Sequence, residues 1–261
     1  WNTGQRVNAV SHYRKAWEQQ RDNEPYLRQL IGRVYDSGTK AGQLKPFVDE
    51  YKKRFPENRL YLGAALSNLA HSYARDKQLA PALTTAAEAI VHDPNYRDIA
   101  TYYVRWIHGM DEKRLPEAEN ILRNAFGQAE TKKRYVIRYA LAFDLYRDRI
   151  KDPNRARNEI RQMLREEPPN DGKISSALSW YLTTCPDEGS FRREAEEITK
   201  YVEANGHLGH LRSWLQSWAK GAGSSDLEKS NRKWFRQRIK GLASHPEVAE
   251  WVAFDKATAA N

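Results

Sequence analysis

Residues Gly63 to Pro94 constrain the fold of this chain more than any other stretch. They read G-A-A-L-S-N-L-A-H-S-Y-A-R-D-K-Q-L-A-P-A-L-T-T-A-A-E-A-I-V-H-D-P. Leu66, Leu69, Ala70 and Tyr73 recur at helical spacing and share one face of a first helix. Ala82, Ala86 and Ala89 share one face of a second. Asp76 to Gln78 form a short polar turn between the two, and Pro94 ends the second helix. Small Ala70 and Ala82 let two antiparallel helices approach closely, while Tyr73 and the leucines fill the space beside them.

A second copy of the pattern lies one unit upstream. Pro25 to Asn58 carries Ile31, Gly32, Tyr35, Leu44, Val48, Tyr51 and Pro56 at the same relative spacings. The matched residues stand 38 apart, a 34-residue unit plus the four residues Arg59 to Leu62, and self-similarity near 34 is the mark of stacked helical hairpins. The residues occupy the places of the tetratricopeptide (TPR) signature, with Leu66 where a Trp is usual and Ala86 where a large ring is usual. The chain therefore resembles the TPR family. That resemblance implies an all-α fold, a right-handed superhelical α-solenoid of TPR-like helix-turn-helix repeats.

Cut against this ruler, the chain divides into three parts. Residues 1–24 read as the trailing half of a repeat, with Ala9, Tyr13 and Ala16 on its second helix and Gly4 at the preceding turn. Residues 25–206 read as TPR-like repeats. Arg59 to Leu62 lengthen the approach to the second of these. The next first helix spans Arg97 to His108, and Pro116 opens its partner. A helix over Lys132 to Arg149 follows, then one capped by Asp152 ahead of Pro153. The divergent pair Lys173 to Thr184 and Ser190 to Asn205 completes the set. Residues 207–261 read as a helical pair and a capping helix; Leu227, Trp234, Phe235, Ile239 and Leu242 form the stripe of the longer one. The leading half repeat suggests a piece of a longer polypeptide.

The charge is +9 and unevenly spread. Thr131 to Glu166 holds eleven Lys/Arg against five Asp/Glu, and Lys229 to Lys240 holds six basic residues and no acid. Such clusters suit acidic partners or phosphate backbones, or serve as a solvated face. No run of residues is long and apolar enough for a membrane span. The single Cys185 reads as a small buried residue; it fits a cytoplasmic location, with a bacterial periplasm as the alternative.

No nucleophile elbow, dinucleotide fingerprint or metalloprotease motif is present, so no catalytic, cofactor or metal residues are expected. His207 and His210 lack further ligands nearby. In TPR proteins the residue after the signature's small residue points into a concave groove. The resemblance assigns that place to Arg33, His71 and Arg105, with Asn68, Arg75 and His108 on the same wall. Such a stripe suits an extended acidic peptide. Asn68 matches one place of the family's carboxylate clamp, but Asp98 stands where a basic residue would be and would repel a carboxylate. Lys229, Arg232, Lys233, Arg236 and Lys240 form a second candidate surface, for phosphate or nucleic acid. The expected function is a protein-interaction scaffold. The alternatives are the non-catalytic interaction region of a larger enzyme or signalling protein, and a nucleic-acid-binding solenoid.

Overall fold

A computed structural model describes residues 3–166, 172–205 and 225–240. All regular structure among them is helical. The helices are α1 (Thr3–Gln19), α2 (Glu24–Asp36), α3 (Ala41–Arg54), α4 (Arg59–Arg75), α5 (Leu79–His92), α6 (Ile99–Met110), α7 (Leu115–Gln128), α8 (Arg134–Tyr139), α9 (Pro153–Leu164), α10 (Gly172–Thr183), α11 (Glu188–Asn205) and α12 (Asp226–Lys240). Helix α8 continues without a break into a π-helix, Ala140–Ile150. None of the described helices is long and apolar enough to cross a membrane. The chain forms two compact units, 1–156 and 157–261, whose boundary falls within α9.

In the first unit, α4 packs most extensively on α5, as the small-residue faces require. Ala70, Ala82, Ala86 and Ala89 are all fully buried, and Leu66, Leu69 and Tyr73 close around them. Each fully buried leucine contributes about 1.5–3 kcal/mol relative to exposure. Helix α2 leans on both α3 and α4, and α6 on α5, α7 and the π-helix. Helix α1 packs on α2 and buries Trp17 edge-on to Phe47, 6.3 Å between ring centroids.

The turns explain where the helices stop. Lys77 takes the left-handed conformation (φ 60°), which lets Gln78 N–H reach back to Tyr73 O at 2.8 Å and satisfies an end carbonyl of α4. Gly38 (φ 76°) follows the end of α2, where Ser37 N–H donates to Arg33 O and the Ser37 hydroxyl to Val34 O at 2.7 Å. Asp76 then spans two hairpins, because its Oδ2 accepts from Ala41 N–H at 2.7 Å, at the N-terminus of α3. Asp152 caps α9 by accepting from Arg155 N–H at 3.0 Å. Asp187 does the same for Ser190 at the start of α11.

Three local expectations need correction. Gly4 lies inside α1 rather than at a turn, and the four residues Arg59 to Leu62 lengthen the approach to the second repeat as the first turn of α4 itself. Arg97 does not begin a helix. Arg97 and Asp98 both take left-handed conformations (φ 51° and 53°), and α6 starts only at Ile99. Leu227 is exposed rather than part of the buried stripe of α12. Its neighbour explains this: Ser230 donates to Glu188, the first residue of α11, so the turn before Ser230 lies past the end of α11. Asn231 and Phe235 take the buried places, and Trp234 meets Phe191 edge-on. The readings on Pro168-Pro169, His207, His210, Leu242 and the capping helix lie outside the described residues.

Candidate functional site: a basic and aromatic face on α2, α4 and α6

Helices α2, α4 and α6 are the first members of three successive hairpins, and the expected groove residues project from them. The left-handed pair Arg97-Asp98 carries the Arg97 side chain back across this face. Arg97 Nε donates to Asn68 Oδ1 at 2.8 Å, and its guanidinium lies 4.4 Å from the Tyr35 ring centroid. Asn68 is buried, so it holds Arg97 in place rather than meeting solvent. A segment of the chain itself therefore covers Asn68.

Two guanidinium groups meet the Tyr35 ring, those of Arg97 and Arg75, and Asp36 links Arg97 to a third, Arg33. Arg97 Nη2 lies 3.6 Å from Asp36 Oδ1, and Arg33 Nη1 lies 3.7 Å from Asp36 Oδ2, so one carboxylate stands between two cations. Arg75 sits 5.7 Å from the same Tyr35 centroid and donates to Thr39 O at 2.7 Å. Cations beside ring faces and shared carboxylates hold long side chains in place, which lowers the entropy cost of meeting a ligand.

His71 departs from a uniform positive stripe. It is half-buried, edge-on to Tyr102 (4.7 Å) and to Trp106 (5.2 Å). Burial pushes its pKa down, and the Arg97 charge adds to that; the Arg97 backbone and Asp98 oppose it. The ring is thus held neutral near pH 7 and packs as an aromatic. Tyr102 is exposed, and Arg105 lies 5.6 Å from its ring.

At the far end of this face Arg105 Nη2 stands 3.6 Å from Asp144 Oδ1. Asp144 belongs to the π-helix, is buried, and accepts from the Thr101 hydroxyl at 2.8 Å. Burial pushes its pKa up, against the Thr101 hydrogen bond and the Arg105 charge. His108 lies a turn further along α6, with Nδ1 3.4 Å from Glu112 Oε1. The face thus joins Arg33, Asn68, His71 and Arg75 around Arg97, Tyr35 and Asp36, reaches Arg105 through Tyr102, and leaves His108 beside Glu112.

Arg97 and Tyr35 are the members that sequence reasoning missed as site residues. The signal was present in Pro94-Asn95-Tyr96-Arg97-Asp98: a proline followed by Asn and Asp favours turns and tolerates left-handed conformations.

On the second candidate surface, Lys229 and Lys233 are exposed, and Lys229 Nζ lies 3.4 Å from Asp226. The side chains of Arg232, Arg236 and Lys240 lie outside the described residues. No group of His, Cys, Asp or Glu among the described residues is arranged to hold a metal ion. Cys185 is buried, with Arg157 Nη2 3.3 Å from its sulfur; burial pushes its pKa up against that contact. Comparison of the whole chain with protein-family models, curated proteins and solved structures finds no match to any of them.

Proposed function

We propose that this chain is a binding scaffold rather than a catalyst. Its helical hairpins are read as TPR-like repeats stacked in a right-handed superhelical solenoid, and the α2–α4–α6 face receives an extended acidic segment of a partner protein. The observation that carries this reading is the placing of Arg75 and Arg97 at the Tyr35 ring, with Asp36 between Arg97 and Arg33. Positive charge exceeds the carboxylate placed there, and exposed Tyr102 continues the same face with Arg105 over its ring. Guanidinium groups pair bidentately with carboxylates, and aromatic rings add contact area at low entropy cost.

The test is fluorescence anisotropy with a labelled Glu-rich peptide and a labelled single-stranded oligonucleotide, for the wild type and for Arg33→Glu with Arg75→Glu. The double variant should keep the wild-type melting curve and lose peptide binding by about tenfold or more, from two charge-assisted contacts at half-exposed positions. Unchanged peptide affinity in the double variant, or tight binding of the oligonucleotide alone, would overturn the reading.

A further inference from the structure

Between α2 and α4, beside the arginine cluster, lies a hollow of about 280 Å³. Tyr51, Tyr61 and Tyr96 line it with rings, and Ala64 and Ala65 form the α4 side. Gly32 lies on the α2 side, and a Cβ built there meets nothing within 4 Å. Gly32 thus leaves the α2 side open, at a mid-helix position where a glycine costs about 0.5–1 kcal/mol relative to alanine. Arg28 lies over the Tyr61 ring at 3.9 Å, and its Nε is buried without a hydrogen-bond partner. Tyr61 is exposed, so the hollow opens to solvent next to it.

We propose that this hollow is a specificity pocket for one aromatic side chain of the acidic segment, a refinement that rests on the binding reading above. Size is the first argument. The hollow is smaller than the usual range for small-molecule ligands, about 300–1,000 Å³, and suits a single large side chain. Its lining is the second. Tyr61 and Tyr96 offer ring surface to an incoming ring, with fully buried Tyr51 beside them, and aromatic pairs gain beyond their buried area. Position is the third. Asn68 lines the hollow and accepts from Arg97 Nε at 2.8 Å, so the guanidinium cluster begins at its margin. An extended peptide advances about 3.3 Å per residue, so a carboxylate within one or two positions of the aromatic reaches Arg97 or Arg33. The recognised feature is an aromatic residue flanked closely by Asp or Glu.

Two labelled peptides test this, identical Gly/Ser-rich chains carrying either Glu-Phe-Glu or Glu-Ala-Glu. Against wild type the Phe peptide should bind about tenfold tighter, the value of burying one ring. Gly32→Leu should fill the hollow from α2 and erase that preference, read as the ratio of the two peptides' affinities. Ala64→Met fills it from α4 and should give the same result, which guards against a folding defect in either variant. A Phe preference that survives both substitutions, or no preference in wild type, overturns the pocket while the acidic-peptide reading stands. Failure of both peptides to bind wild type overturns that reading and the pocket with it.

Discussion

The Tyr181 hydroxyl donates to a carboxylate oxygen of Glu194, across the α10–α11 hairpin. Arg161 Nη2 holds the other Glu194 oxygen at 2.7 Å, and Arg157 lies over the Tyr181 ring. The arrangement recurs in the other unit. Tyr146 donates to Glu119 at 2.6 Å, Arg155 pairs with Glu119, and Arg155 lies over the Tyr146 ring. Tyr51 donates likewise to Glu24, which Arg28 approaches at 3.7 Å. Each tyrosine is buried, so its hydroxyl needs an acceptor, and a charged acceptor in turn needs a cation. One polar device thus ties helices together in three places, within the α2–α3 and α10–α11 hairpins and between α7 and the π-helix.

These triads set the acid limit of stability. Burial raises the Glu119 and Glu194 pKa values, but the tyrosine and arginine hydrogen bonds outweigh it and hold both below the usual carboxylate range. A depressed carboxylate stabilises the fold above its unfolded value, about 4.5, and that contribution is lost as pH falls through the folded value. Tyr146→Phe should therefore cost about 1–2 kcal/mol at pH 7 and less well below pH 4.5. Urea denaturation at the two pH values checks it; an equal cost at both would place the effect in packing alone.

The spacing of helices α4 and α5 predicts a contrast between two glycines. At Gly63 an added Cβ would lie 2.6 Å from Asp93 Cβ and 2.7 Å from Asp93 N, so backbone must move. Asp93 is itself buried and 3.3 Å from Lys133 Nζ. Gly63→Ala should destabilise by about 1–3 kcal/mol, whereas Gly32→Ala should stabilise by about 0.5–1 kcal/mol. Thermal melts of the two variants in parallel decide it, and two shifts of the same sign would contradict the packing described for α4.

Overpacking the hairpin interior should show the same sensitivity. Ala82 is fully buried at the contact of α5 with α4. Ala82→Leu should lower stability by about 1–3 kcal/mol, and an unaltered melting curve would mean the crossing lies elsewhere.

His71 should impose a pH dependence of its own. Its folded pKa lies below the ordinary 6.5, chiefly through burial, so the unfolded chain takes up the proton first. The stability from neutral His71 is present above about pH 6.5 and falls away as pH drops below it. His92 is depressed in the same direction by burial and Arg59. His71→Gln should flatten the fall in melting temperature between about pH 7 and pH 5, leaving the share due to His92. A slope identical to wild type would remove His71 as its source.

The parts of the fold that were legible in the sequence are those governed by packing of small and large residues. Ala82, Ala86 and Ala89 recur at helical spacing because only small side chains fit that crossing, and all three are buried. The polar turn at Asp76 to Gln78 was equally legible, since its residues cannot be buried without partners. What periodicity does not encode is backbone handedness at single residues. Arg97 and Asp98 read as a helix start, yet their left-handed conformations redirect Arg97 onto Asn68. Nor does it mark the change from α to π winding at Ala140, because Ala140 to Tyr146 are buried on every side and leave no polar stripe to show the register. The resemblance to the TPR family gave Arg33, His71 and Arg105 a common face as an expectation, but not their environments. His71 became an aromatic packing residue through burial, which depends on Tyr102 and Trp106 from the next hairpin.

The last prediction separates binding from folding on the candidate face. Arg105 looks equivalent to Arg33 in sequence, since both follow the small residue of their repeat. Their surroundings differ. Arg33 faces Asp36, a half-exposed carboxylate, whereas Arg105 lies 3.6 Å from buried Asp144. Exposed ion pairs contribute at most about 1 kcal/mol, so Arg33→Glu should leave the melting curve nearly unchanged. Arg105→Glu sets a second negative charge beside a carboxylate already disfavoured by burial. Half-exposure of Arg105 screens that repulsion, so the cost should be about 1–2 kcal/mol rather than the several expected between buried charges. Asp144→Asn removes the repulsion while keeping an acceptor for the Thr101 hydroxyl. The double variant Arg105→Glu with Asp144→Asn should therefore be more stable than the sum of the single changes, a coupling that a double-mutant cycle in urea measures directly. Additive costs would mean that Asp144 does not sense Arg105, and the charge chain across α6 and the π-helix would have to be redrawn.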